Sequence, residues 1–266
     1  MKKVTLLLFL LSLTIVPAFT QNIYYILNIK GTVKLKNTGA VLMTNSQISE
    51  KDALLFSTPT DAVAVISTKS GRMILKPKPN AKASELVCIV SEILNPGTGR
   101  LSARAGLINN AMDMNNYFSI DSLTILGSTK VWISPTSFPM NDANFFFVRY
   151  TWKGETINKK LSFEKDSLIL NANDIYKVDG NSISAREVTS PNLYYRKGNE
   201  AIPMCPFNIS FADEASLKEM TIAFKKHSTK KGNDFLEEFK SLLKDIYGNT
   251  DKDNVRFWLK KTIGTY

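Results

Sequence analysis

One histidine, two cysteines and no long apolar run beyond the first 16 residues are what this 266-residue chain has to work with. Each shortage removes a class of chemistry. A single His227 cannot complete a zinc site, and as a general base it would need a buried nucleophile and an orienting carboxylate beside it. It stands instead in Lys225-Lys226-His227, where the expectation is an exposed helix end. Cys88 and Cys205 have no metal-ligand spacing. Gly97-Thr98-Gly99 lacks the following glycine and the strand-to-helix setting of a phosphate loop. Asp251, Asp253 and Asn254 lack the central Gly and terminal Glu of a calcium loop, and Asp251 to Asp253 read as a helix cap. No catalytic, cofactor or metal residue is assigned. Glu155, Glu164 and Asp166 stay open as glycosidase carboxylates only because separation is a three-dimensional quantity.

What is present begins with export. Lys2 and Lys3 precede an apolar run from Val4 to Val16. That run is shorter than the roughly 20 residues that span a bilayer, and Pro17 with small residues follows it. Residues 1–20 therefore read as a signal peptide, cleaved after Ala18 or Thr20. The mature chain is expected in the periplasm or outside the cell, without a transmembrane helix. Losing Lys2 and Lys3 lowers the formal charge from +10 to +8. The cations are scattered, so they read as solvated charge, and no nucleic acid is expected as partner.

Cys88 and Cys205, an even pair in an oxidising compartment, allow one disulfide; two buried thiols are the other arrangement.

The fold class expected is mainly β, a small barrel or sandwich plus a second antiparallel sandwich region, with a helical C-terminal segment. Residues 21–80 carry short strands: Ile23–Leu27, Gly31–Lys36, Ala53–Phe56, Ala62–Ile66 and Arg72–Leu75. Residues 81–129 form a mixed connecting region, in which Phe118-Ser119-Ile120 and Leu123–Leu126 read as strands. Residues 130–205 form the second β region, centred on the aromatic run from Asn144 to Trp152. Lys153-Gly154-Glu155 and Asp179-Gly180-Asn181 read as hairpin turns. Residues 206–266 are helical: Phe235, Leu236, Phe239, Leu242, Leu243, Ile246 and Tyr247 form one stripe, with a start at Asp234-x-x-Glu237 and a stop at Gly248. A last helix carries Val255, Trp258, Leu259 and Ile263. The stripe must meet the β region or a partner, and Phe235, Leu236, Phe239, Leu242, Leu243 and Ile246 are its candidate partner surface.

Within residues 29–77, Gly31 and Val33, then Leu55, Ser57 and Thr58, then Ala62 to Ile66, then Gly71 with Ile74 and Leu75 follow one another in an order that resembles the FecR-type periplasmic β domain. The resemblance implies a fold for this stretch. It implies no transmembrane signalling, because the cytoplasmic segment and membrane helix of family regulators are replaced here by a cleavable signal. Asp121-Ser122-Leu123 and Asp166-Ser167-Leu168 resemble the acceptor sequence for O-glycosylation of exported Bacteroidetes proteins, on Ser122 and Ser167.

The function expected is an exported, noncatalytic binding or structural protein of the cell envelope, its partner an envelope protein or glycan. The alternatives are an enzyme on cell-surface glycan and a basic protein recruited to anionic surfaces.

Overall fold

A computed structural model describes residues 22–77, 86–90, 94–96, 106–119 and 122–266, with backbone alone at 94–96. The expected signal peptide lies outside the described residues. The protein is mainly β with a C-terminal helical segment, and none of its sheets closes into a barrel among those residues.

The N-terminal strands form two sheets face to face. β1 (Ile23–Lys30), β3 (Gln47–Ser49), β5 (Ala62–Ser67), β6 (Gly71–Leu75) and β8 (Leu94–Pro96) lie in the order β3-β1-β5-β6-β8. Opposite them lie β2 (Val33–Leu35), β4 (Ala53–Phe56) and β7 (Val87–Ile89), in the order β2-β4-β7. Tyr24, Ile26, Val63, Val65 and Leu75 point inward onto Val33, Leu54, Phe56 and Cys88. Ala64 and Ile66 of β5 face the other way, into a second core. Burial on both faces explains why Ala62 to Ile66 reads as an unbroken apolar run instead of an alternating one. In β1 the register shifts between Ile26 and Asn28, and Leu27 between them turns to that second core.

The second β unit follows. α1 (Ala111–Phe118) and β9 (Leu123–Ile125) lead into β10 (Ser128–Trp132), β11 (Asn144–Trp152), β12 (Glu155–Lys160), β13 (Ser162–Glu164) and β14 (Ser167–Asn171). After the one-turn helix α2 (Ala172–Ile175) come β15 (Lys177–Val178), β16 (Asn181–Ser182), β17 (Val188–Lys197), β18 (Glu200–Pro206) and β19 (Ile209–Phe211). Sheets β10-β14-β13 and β12-β11-β17-β18 share one core, with Val131, Leu168 and Leu170 from the first and Phe146, Val148, Tyr150, Leu193 and Tyr195 from the second. The hairpins turn where two consecutive residues have positive φ, at Lys153-Gly154 and Asp179-Gly180.

Two expectations fail here. Phe118-Ser119 is no strand: Asn110 accepts from Asp113 N and starts α1, whose Met114 and Phe118 join the central core. A short apolar–polar–apolar triplet fits a helix end as well as a strand. The central unit also outgrows 130–205, since Ile108, Leu123, Ile125, Phe207 and Ile209 share its core, and β9 pairs in parallel with β19 across more than 80 residues.

The tail forms α3 (Glu214–His227), α4 (Gly232–Tyr247) and α5 (Lys252–Ile263). They pack on the outer face of the N-terminal sheet. Leu217, Met220, Phe224, Phe235, Phe239, Leu242, Leu243, Val255 and Leu259 meet Leu27, Ala64 and Ile66 in one core. α4 starts at Gly232 with Lys231 before it and no side-chain cap, two residues earlier than the Asp234 start; Gly248 (φ 89) does stop it. Asp251 caps α5, its carboxylate accepting from Asp253 N and Asn254 N. Arg72 of β6 ties sheet to helix: its guanidinium is buried, pairs with Asp245 and donates to Ser241 Oγ at 2.8 Å. On the other flank Asn254 bonds the β9–β10 connection, accepting from Leu126 N (2.8 Å) and donating to Leu126 O (3.1 Å) and Ser128 O (3.0 Å). The chain thus leaves the N-terminal unit, builds the central one, and returns to cover the first.

Candidate functional site

The residues singled out by sequence are scattered by the fold. Phe235, Leu236, Phe239, Leu242 and Leu243 are at most 2% exposed, and Ile246 packs beside them. They are core and offer no partner surface; a helical stripe announces that it is buried but not by what. Cys88 belongs to the N-terminal sandwich and Cys205 to the central core, so no disulfide joins them and both stay thiols. Burial pushes the Cys205 thiol up, against a lowering contact from Ser119, which makes it a poor nucleophile. Ser167 is 2% exposed and cannot carry a glycan on the folded surface; Ser122 is exposed.

His227 is half-buried rather than exposed. Its ring stacks on Tyr25 with centroids 3.5 Å apart and planes 15° from parallel. Burial first, and the charge of Lys226 second, hold its pKa below the ordinary histidine range. The helix dipole that drew cations to this last turn of α3 is met by Lys225, Lys226 and His227 together. Among the described residues no three His, Cys, Asp or Glu side chains gather as a metal site, and no helix is long and apolar enough to cross a membrane.

One concavity has the character of a ligand seat. It opens where β10 meets α5, with a volume of about 300 Å³. Tyr117, Val131, Trp132, Ile169 and Phe257 supply apolar surface; Thr129, Asp251, Asp253 and Asn254 supply polar groups. Trp132 is 59% exposed and Phe257 58% exposed, the largest aromatic side chains left open to water among the described residues. Both positions follow from local geometry. Val131 points into the core, so its neighbour Trp132 must point out. Phe257 falls off the buried Val255–Trp258–Leu259 stripe of α5. Asn254 fixes the two walls by its three bonds across the seam. Burial raises the Asp251 carboxyl above the usual range, against the lowering effect of the Asn254 and Asp253 amides it caps.

Sequence reasoning missed this cleft. Trp132 was visible only as part of a strand, and Asp251 only as a cap. A signal did exist in Phe257, a large aromatic displaced from its helix's apolar stripe.

No protein family, curated protein or solved structure matches this chain.

Proposed function

We propose that this protein is an exported, noncatalytic binding protein of the cell envelope, and that the β10–α5 cleft seats its ligand. The observation that carries the reading is the paired exposure of Trp132 and Phe257 on a shared cleft. Large aromatics are normally buried for their apolar area, and no other Trp or Phe side chain among the described residues is left so open to water. Two open rings with hydroxyl, amide and carboxylate groups between them suit a ligand with an apolar face and hydroxyl donors at its edge, which is the chemistry of a sugar in a surface glycan. In the same reading residues 1–20 are the signal peptide and residues 29–77 a FecR-type β domain. Supporting the latter are Gly31 ahead of β2, Ser57-Thr58 closing β4, the alanine-rich β5 and Gly71 opening β6. Ser122, exposed beside β9, remains the candidate glycan acceptor.

The test is direct. Mature protein is titrated with oligosaccharides released from its native envelope, alongside a Trp132→Ala/Phe257→Ala variant. Binding that quenches Trp fluorescence in the wild type and is lost in the variant, at unchanged melting temperature, is the expected result. Equal binding by both proteins refutes the seat. Mass spectrometry of the native protein checks export, with an N-terminus at or near Phe19 or Gln21 expected.

One observation favours a second reading. Asp251 and Asp253 line the same cleft, and burial raises the first while the second lies open to water beside Arg256. A carboxyl pushed upward by burial near a second, open carboxylate is the kind of pairing used in glycoside hydrolysis. The cap bonds at Asp251 already engage one of its oxygens, which weighs for binding over catalysis. Reducing ends released from the oligosaccharides by the wild type but not by Asp251→Asn would reverse that judgement.

A further inference from the structure

The aromatic run of β11 divides between two faces. Phe146, Val148 and Tyr150 enter the central core. Phe145, Phe147 and Arg149 take the alternate positions and so lie on the outer face of the β12-β11-β17-β18 sheet. Register fills in the rest of that face. Phe147 stands between Lys160 of β12 and Tyr194 of β17; Arg149 between Asn158 and Asn192; Phe145 opposite Arg196.

The side chains on this face form an ordered set. Phe147 and Tyr194 are stacked, with centroids 5.2 Å apart and planes 18° from parallel. The Arg149 guanidinium lies 4.6 Å from the Tyr194 centroid, held by its Nε–H to Asn158 Oδ1 at 2.8 Å. Lys160 Nζ lies 4.5 Å from the Phe145 centroid. Arg196 donates from Nε to Gly198 O at 2.9 Å. Each arginine is thus braced through Nε, which leaves the terminal nitrogens of the fork for another acceptor. No Asp or Glu occupies an outward position in β11, β12 or β17; Asp142, on a loop, is fully exposed with its carboxylate 3.9 Å from Lys160 Nζ.

We infer that this outer sheet face, with Arg149 and Lys160 set over the rings of Phe145, Phe147 and Tyr194 and Arg196 on the strand position opposite Phe145, is a binding site for an anionic polysaccharide. Three cations on adjacent strands with no interspersed acid complement a chain of regularly spaced carboxylates or sulfates. Tyr194 is covered by Arg149, and Phe145 by Lys160. Those rings are closed to the base stacking that single-stranded nucleic acid uses, so a charged sugar chain is the better match. The site is separate from the β10–α5 cleft and stands whether or not the cleft reading holds.

The experiment uses the mature full-length protein with alginate as the carboxylated polysaccharide and dextran as the neutral one. Affinity electrophoresis at low and moderate salt should show alginate binding, weakened by salt, and none to dextran. An Arg149→Gln/Lys160→Gln/Arg196→Gln variant should lose about tenfold or more in affinity, as three screened charge contacts of ordinary strength predict. Two controls separate the causes. Lys225→Gln/Lys226→Gln removes charge from α3 and should leave binding within about twofold, as should Trp132→Ala/Phe257→Ala. Alginate binding that survives the triple substitution overturns the inference. So does equal loss in the α3 control, loss in the cleft variant alone, or tighter binding to oligo-dT or to phosphatidylglycerol vesicles than to alginate. Melting curves matching the wild type confirm that a loss in the triple variant reflects the face and not unfolding.

Discussion

Gly31→Ala is the substitution whose cost the structure specifies most closely. Gly31 joins β1 to β2 at φ +84, and a Cβ there would lie 2.0 Å from Asp61 Oδ1 and 2.4 Å from its Cγ. Asp61 is 5% exposed. Its carboxylate accepts from Ser57 N at 2.9 Å, Thr58 N at 3.0 Å and Thr58 Oγ1 at 2.6 Å, closing the loop between β4 and β5. Alanine in the left-handed region costs about 1–2 kcal/mol. It also drives the carboxylate off its donors, and each hydrogen bond to a charged group contributes about 1.5–3 kcal/mol. Losing one or two of them brings the total to about 2.5–8 kcal/mol, a fall in melting temperature of roughly 5–30 °C at this chain length.

A double-mutant cycle with Asp61→Ala, read by urea unfolding, isolates the second part. In the Asp61→Ala background Gly31→Ala should cost only the backbone share, about 1–2 kcal/mol. An equal cost in both backgrounds would refute the reasoning. The pair also has a pH signature. Burial alone would raise the Asp61 carboxyl, but the Thr58 hydroxyl and the backbone amides of Thr58, Ser57 and Thr32 outweigh it and hold the pKa below the ordinary range. The stabilisation is therefore complete above the unfolded value of about 3.9 and disappears as pH falls through the lower folded value. The stability gap between wild type and Asp61→Ala should narrow over that acidic window and stay constant above it.

Three further outcomes are expected. Phe239→Ala removes a ring that is 0% exposed and packed near Phe224 and Phe235, so calorimetry should register a loss of about 3–5 kcal/mol; a change under about 1 kcal/mol would mean the helical layer is not docked as described. Asp245→Ala leaves the Arg72 guanidinium buried without its carboxylate and should cost about 3–5 kcal/mol, with Arg72→Met/Asp245→Leu recovering much of it; failure of the double variant to recover would place the loss elsewhere. Reducing and nonreducing peptide maps should coincide, and both cysteines should alkylate only after denaturation, since each is 7% exposed in its own core.

Local physics was legible in the chain. Gly154, Gly180, Gly248 and Gly264 mark turns and helix ends because each takes a positive φ that other residues resist. Asp251 marks the start of α5 because a short carboxylate reaches free amides there. The period of α4 marked its buried face, and the apolar run from Ala62 to Ile66 marked the strand β5. Tertiary structure decided everything that depends on which distant segments meet. The α4 stripe fits a core, a sheet or a partner equally well by period, and only the return of the chain across more than 140 residues lays it on Ala64 and Ile66. The even count likewise left Cys88 and Cys205 as a disulfide or as two buried thiols, and only packing put them in different cores. Strand alternation put Phe146, Tyr150 and Trp152 of β11 on the core side and Phe145 and Phe147 on the outer face, and strand register alone brought Arg149, Lys160 and Arg196 to that face together. The β10–α5 cleft has the same origin: Trp132 and Phe257 are 125 positions apart, and no periodicity links them until Asn254 joins their elements. Spacing along a chain encodes which way a side chain points; what it points at is set by the packing of surfaces the sequence specifies only collectively.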